Sequence, residues 1–168
     1  VIGHVGGYNR QKNQQMLMYI LKAIEAKNPS KDFCLISVGR GHTQKDVEQL
    51  ASKLGVDGKV RFLGQRTDVP KLLNAMDMFF LPSLFEGFPI VAIEAQTAGL
   101  PLVIADTISK EVELTNLVHW LPIDKGAEVW AEKYYQIAHT KVNRVQYAPI
   151  VERKGFDARH SAQILQDI

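Results

Sequence analysis

A single cysteine, Cys34, among 168 residues excludes an intrachain disulfide and any thiolate-built zinc site. The five histidines, His4, His42, His119, His139 and His160, include no pair spaced to set two ligands on one helical face, so no metal is expected. No uninterrupted apolar run approaches the ~20 residues of a membrane-spanning helix, and the start lacks the charged-then-apolar pattern of a secretory signal. An excess of one charge is missing too: 20 Lys and Arg against 18 Asp and Glu leave +2. No basic block concentrates those charges, which argues against a nucleic-acid partner. There is no internal repeat and no low-complexity tract.

What is present, 46% hydrophobic and 23% charged residues, is the balance of a globular chain long enough for one core. The chain opens on an apolar strand-like stretch, Val1-Ile2-Gly3-His4-Val5, as a piece cut from something longer would. A polar turn, Gly6 to Asn13, then feeds a helix with Met16, Leu17, Ile20, Leu21 and Ile24 at helical spacing, stopped by Asn28-Pro29. Phe33 to Val38 reads as a strand that buries the Cys34 thiol. After Gly39-Arg40-Gly41 a helix is expected from Thr43, with Thr43 as N-cap, Asp46 as the acid of a capping box and Gly55 in the left-handed C-terminal position.

Val60-Arg61-Phe62-Leu63 is a further strand, and Asp68 is placed to cap a helix through Leu72 and Leu73 with Pro70 in its first turn. Met78 to Leu81 and Leu102 to Ala105 are strands around a helix running from Pro89 to Gly99, and Val118 to Leu121 is one more. Beyond Gly126 come an amphipathic helix with Val129, Trp130, Tyr134 and Ile137, an irregular basic segment around Arg144 and a last helix from Asp157. Trp and Tyr at that spacing read as packing.

Strands that alternate with helices and are apolar on both faces predict an α/β fold, a Rossmann-like doubly wound parallel sheet. Ligands bind such sheets beyond the carboxyl ends of the strands. The glycine-bearing loops Gly6-Gly7, Gly39-Arg40-Gly41, Gly64-Gln65-Arg66 and Glu86-Gly87 all fall there. Gly39-Arg40-Gly41-His42-Thr43-Gln44 begins like a dinucleotide fingerprint, but Gln44 replaces its third glycine, which argues against a dehydrogenase. A tight strand-to-helix turn explains that loop as well as a ligand does.

Chemistry concentrates in Phe85-Glu86-Gly87-Phe88-Pro89-Ile90-Val91-Ala92-Ile93-Glu94-Ala95. A helix beginning near Pro89 leaves the amides of Ile90 and Val91 free for an anion such as a diphosphate, which Gly87 allows to approach. Glu94, early in that helix, suits a neutral diol such as ribose better than a phosphate, and Glu86 reaches outward. Taken alone, the two acids read better as a solvated loop charge and a charge favoured by the helix dipole than as a site.

The stretch Glu86-Gly87-Phe88-Pro89 through Glu94-Ala95 resembles the acid-x7-acid motif of the large retaining family-four glycosyltransferases. Asp77 and Leu81-Pro82-Ser83 before it, Gly99-Leu100-Pro101-Leu102-Val103 after it, Gly6 with Lys12, the Val38-Gly39 loop and Val60 to Gly64 fit the same family. The resemblance covers about the first three quarters of the chain, and Asp106 to Glu111 points to members that build bacterial capsular or exopolysaccharides.

The resemblance implies the C-terminal, donor-binding half of a GT-B enzyme spanning residues 1–168, with the N-terminal acceptor domain outside this chain. Glu86 would be catalytic, stabilising charge at the anomeric carbon. Lys12, Arg10, Gly6, Gly7, Gly87, Phe88, Pro89, Ile90 and Val91 would surround the donor sugar and diphosphate. Glu94, Gly39, Gly41, Gln65 and Arg66 would hold the nucleoside. The nucleotide-sugar, UDP-linked by preference, would be a substrate, with no cofactor and no metal, and the acceptor would be a glycan or lipid-linked hydroxyl. That enzyme would lie in the cytoplasm or at the inner face of the cell membrane, and the isolated domain would have little activity.

One departure stands out: where the family usually has arginine the chain has Gly7, and Arg10 is the expected replacement. The remaining alternatives are a non-catalytic nucleotide-binding module and half of a GT-B nucleotide-sugar epimerase. Glycoside hydrolysis fits less well, because both acids belong to one loop-helix unit rather than flanking a bond.

Overall fold

A computed structural model describes residues 1–156. Six strands, β1 (Ile2–Val5), β2 (Leu35–Val38), β3 (Val60–Phe62), β4 (Met78–Leu81), β5 (Leu102–Ala105) and β6 (Val118–Leu121), form one sheet in the order β3-β2-β1-β4-β5-β6. Every pairing is parallel. The expected Rossmann-like doubly wound sheet is therefore the observed one. Its strand order reverses between β1 and β4, which is where such sheets open a crevice.

The strand interiors explain this arrangement. All four residues of β4 and of β5 are buried, as strands covered on both faces require, whereas edge strand β3 exposes Arg61. Helices α1 (Gln14–Lys27), α2 (Gln44–Leu54) and α5 (Ala127–Ile137) pack together through α1, and α3 (Val69–Asn74), α4 (Ile90–Thr97) and α6 (Tyr147–Arg153) pack through α4. Leu17, Ile20, Leu21 and Ile24 of α1 are buried as their spacing predicts, together with Met18. Phe80 and Trp130 meet edge-on at 5.9 Å, tying the sheet to α5.

Several local expectations are corrected. Thr43 stands at the N-cap of α2, but its side chain makes no cap bond and its hydroxyl is buried without a partner among the described residues. The capping box with Asp46 does not form. Asp68 likewise leaves α3 uncapped, because its carboxylate is taken bidentately by Arg66 at 2.8 Å. Cys34 is half-buried and precedes β2.

The segment around Arg144 is ordered into a 3-10 turn and α6. The Arg144 guanidinium donates to the carbonyls of Met76 at 2.6 Å and Asn74 at 3.4 Å, which fastens that segment to the start of β4. The helix expected from Asp157 lies outside the described residues. Among the described residues no helix is long and apolar enough to cross a membrane.

Fully buried Gln96 on α4 holds the loop before β6. Its Nε2 donates to the carbonyls of Ala92 and Val112, and its Oε1 accepts from the amides of Leu114 and Thr115. Nothing in the sequence pattern singled it out.

Candidate functional site

The β1–α1 loop is the hub of the carboxyl end of the sheet. Gly6 donates its amide to Val38 O at 2.9 Å and Tyr8 to Arg40 O at 2.9 Å, continuing the β1–β2 ladder past the strands. On the other side Leu84 donates to Gln11 O at 2.8 Å, Gln11 Nε2 to Phe85 O at 3.0 Å and Asn13 Nδ2 to Pro82 O at 3.1 Å. Asn13 has φ 52°, a left-handed conformation that asparagine tolerates better than most residues. The loop is thus bonded to both flanking loops across the switch point.

Gly39 and Gly41 are required by this packing. A Cβ on Gly39 would lie 2.0 Å from Gly6 O and one on Gly41 2.0 Å from Tyr8 O, and Gly39 has φ 141°. Close backbone approach between two loops accounts for both glycines before any nucleoside is invoked. A Cβ on Gly87 would meet nothing within 4 Å, so the exposed β4–α4 loop is open at that point.

At the centre of the site the Lys12 ammonium pairs with Glu86 Oε2 at 2.6 Å, the two side chains being 17% and 7% exposed. The other Glu86 oxygen accepts from the Ser83 hydroxyl. The Ser83 carbonyl in turn accepts from Thr107 Oγ1 at 2.9 Å, and the Glu86 carbonyl from the Ser109 amide at 3.2 Å. Lys12 of the β1–α1 loop and Ser83 of the β4–α4 loop therefore converge on one carboxylate, and the loop after β5 holds its backbone. A carboxylate opposite an ammonium in a site closed to water on most sides is equipped to face opposite charges developing on a substrate.

Pro89 precedes α4 as its N-cap, and the first helical amide to find a backbone acceptor is Ala92, which donates to Pro89 O at 2.9 Å. The amides of Ile90 and Val91 have no partner among the described residues, as an anion-accepting helix start requires. Glu94 is half-buried one turn further on and pairs with no cation among the described residues. It lines an open cleft of about 720 Å³ with Pro70, Leu73, Phe88, Ile90 and Phe156. Phe88 and Ile90 are exposed by 42% and 70%, and Phe88 stacks on Phe156 at 5.5 Å. The two acids consequently have different surroundings: Glu86 faces Lys12, whereas Glu94 faces the cleft between α3 and α4.

The remaining candidates are spread along the same edge. Gly7 is exposed, and a Cβ there would make only an ordinary contact, 3.6 Å to Arg40 O. Arg10 is exposed and pairs with no acid among the described residues. Gln65 and Arg66 lie on the exposed loop after β3, where hydrogen bonding to Asp68 raises the Arg66 pKa and lowers that of Asp68. Arg40, which the sequence reading did not single out, runs beside the Gly64 backbone at the end of β3. Ser83 and His4 were named from the sequence without a site role, and Gln14 was not named. Gln14 is 1% exposed, donates Nε2 to Gly7 O at 2.9 Å and leaves Oε1 without a partner among the described residues. No sequence signal separates Gln14 from the neighbouring Gln15, which is exposed.

Residues 1–139 match the family model described as Glycosyl transferases group 1. The whole chain aligns at 31% identity over 170 residues with the putative glycosyltransferase EpsF of Bacillus subtilis (strain 168), covering 44% of that protein. At 34% identity over 103 residues, 61% of the chain is similar to the UDP-Gal:alpha-D-GlcNAc-diphosphoundecaprenol alpha-1,3-galactosyltransferase of Escherichia coli, covering 27% of it. Among solved structures, HepE of Anabaena in complex with UDP superposes with a TM-score of 0.77 at 23% identity, over 99% of this chain and 48% of that one. At that identity the likeness concerns the fold. The chain spans less than half the length of each of these three proteins.

Proposed function

The chain belongs to the group 1 glycosyl transferases, and from that membership we propose that it is the donor-binding half of a retaining sugar transferase. The observation that carries this reading is the Lys12–Glu86 pair at 2.6 Å, set at the β1/β4 switch point beside the unpartnered start of α4. A nucleoside diphosphate sugar placed there meets a cation and free amides at its phosphates, a carboxylate at its sugar and a second carboxylate, Glu94, within reach of ribose hydroxyls.

In the transfer step the bond between the anomeric carbon and the phosphate oxygen breaks, and its electron pair leaves on the diphosphate. Lys12 and the amides of Ile90 and Val91 stabilise that charge, while Glu86 stabilises the positive charge left on the sugar. The hydroxyl of an acceptor held by the remainder of the enzyme bonds the carbon and gives its proton to the departing diphosphate oxygen. No step needs a metal. UDP is the favoured nucleotide, since the Escherichia coli relative is named for a UDP-sugar and HepE was solved with UDP. A hexosyl group destined for a glycan or lipid-linked acceptor of a bacterial polysaccharide is the accompanying expectation.

A thermal-shift series with UDP-, GDP- and ADP-sugars tests the reading, because a ligand bound only by the native state raises its stability by mass action. A rise with a nucleotide-sugar supports it, and no rise with any of the three overturns it. Gly7, an exposed glycine at the phosphate-facing loop, favours one second reading, a module that binds nucleotide without catalysis. Glu86→Gln in the full-length protein separates the two: a transferase loses turnover, and a binding module has none to lose.

A further inference from the structure

His4 lies at the carboxyl half of β1 with no exposed surface, its ring stacked on Phe79. Burial lowers its pKa to about 4, with the nearby charge of Lys12 acting in the same direction and the bond to Phe80 opposing it. The ring is therefore neutral under ordinary conditions. Nδ1 lies 3.0 Å from the Phe80 carbonyl, which cannot donate, so the ring proton sits on Nδ1 and the lone pair on Nε2.

That Nε2 is a buried acceptor with no partner among the described residues. Buried acceptors are rarely left so, and one beside a binding site calls for an explanation. Gly6 shows where it points. A Cβ on Gly6 would stand 3.3 Å from His4 Nε2, 3.2 Å from Lys12 Cδ and 3.3 Å from Lys12 Cε, so the imidazole nitrogen and the lysine stem both border the space that a side chain at Gly6 would fill. Lys12, whose charge acts on the ring, is the residue paired with Glu86. The Lys12 ammonium has three N–H donors, of which Glu86 accepts one.

We propose that His4 is a positioning residue for Lys12: when a donor diphosphate draws the ammonium from Glu86, His4 Nε2 accepts one of its N–H groups through the gap at Gly6. The imidazole thereby holds the cation on the phosphates while Glu86 is freed toward the sugar. It must be neutral to do so, and the bond to Phe80 O keeps it in the one tautomer that serves. This rests on the donor-site reading above.

Two variants separate the ring nitrogens. In His4→Asn the side-chain amide can still donate to Phe80 O, but no acceptor reaches as far as Nε2. In His4→Gln an oxygen can take the distal position. Affinities for UDP and GDP and for uridine and guanosine are measured by calorimetry. His4→Asn is expected to weaken the diphosphates about tenfold, His4→Gln to recover most of that loss, and both to leave the nucleosides unchanged.

Diphosphate binding unaltered in His4→Asn, no recovery in His4→Gln, or an equal loss for the nucleosides overturns the role of His4. Should either variant fail to fold, nitrogen NMR of the wild-type imidazole decides: the Nε2 resonance shifts on addition of the diphosphate, and an unmoved resonance refutes the contact. If the wild type binds none of the four compounds, the donor-site reading itself fails. If it binds diphosphates and the variants match it, only the His4 inference fails.

Discussion

Replacing Glu86 with glutamine is expected to act in opposite directions on the empty and the nucleotide-bound protein. The substitution keeps a hydrogen-bonding oxygen beside Lys12 but removes the charge that pairs with it at 2.6 Å. At an effective dielectric near 20, two unit charges about 3 Å apart attract by roughly 5 kcal/mol. Removing one partner of a buried pair typically costs about 3–5 kcal/mol. The Lys12 side chain retains 17% exposure and can regain water, so a loss of about 2 kcal/mol is the reasoned value.

For a chain of this size that loss corresponds to a fall of roughly 4–8 °C in Tm. UDP should nonetheless bind more tightly, by about three- to tenfold, since the diphosphate no longer competes with a carboxylate for Lys12. Turnover in the full-length enzyme should drop by about 10²–10³ as the sugar loses its stabilising charge. Lys12→Ala is the control, weakening UDP by about tenfold or more. Differential scanning fluorimetry and titration calorimetry read both quantities. An unchanged Tm together with unchanged or weaker UDP binding in Glu86→Gln would refute the reasoning, because Lys12 would then not be shared between carboxylate and diphosphate.

Other expectations follow from single contacts. Gln96→Leu strips partners from the amides of Leu114 and Thr115 and the carbonyl of Val112, and should cost about 2–4 kcal/mol in urea unfolding with an unaltered m-value; a loss below about 1 kcal/mol would count against it. Gly41→Ala forces a Cβ to within 2.0 Å of Tyr8 O, whereas Gly87→Ala meets nothing within 4 Å, so the first should lower Tm by several degrees and the second should leave it in place; equal effects would contradict the loop packing. His4 makes stability pH-dependent: its folded pKa of about 4 lies below the unfolded 6.5, so the unfolded chain binds the extra proton and stability falls as pH drops through 6.5 toward 4. Between pH 7 and 5 the loss should be about 2 kcal/mol, His119 adding in the same direction because burial also lowers its pKa; His4→Asn should flatten the slope, and an unchanged slope in that variant would contradict the assignment.

Strands β4, β5 and β6 coincide with the apolar runs read from the sequence, and the doubly wound sheet follows from their alternation with helices. Helix ends were less legible. Thr43 and Asp68 are residue types that cap helices, yet one hydroxyl is buried without a partner among the described residues and one carboxylate pairs with Arg66. A cap needs a rotamer, and tertiary neighbours set the rotamer. The order around Arg144 was invisible for a related reason: the carbonyls it grips belong to residues some 70 positions earlier. Along the site, Gly39 and Gly41 were legible as a turn, but only the approach of a second backbone explains why both must be glycine.

By itself, then, the sequence determined the parallel sheet, the family and the Glu86 to Glu94 stretch, because apolar periodicity and local motifs are written in consecutive residues. The tertiary structure alone decided that Lys12 meets Glu86, 74 positions away, that Glu94 opens instead to the α3–α4 cleft, and that a buried imidazole lies behind the lysine. Those relations depend on which strand ends the sheet sets side by side at its switch point, and no local pattern encodes a neighbour across that gap.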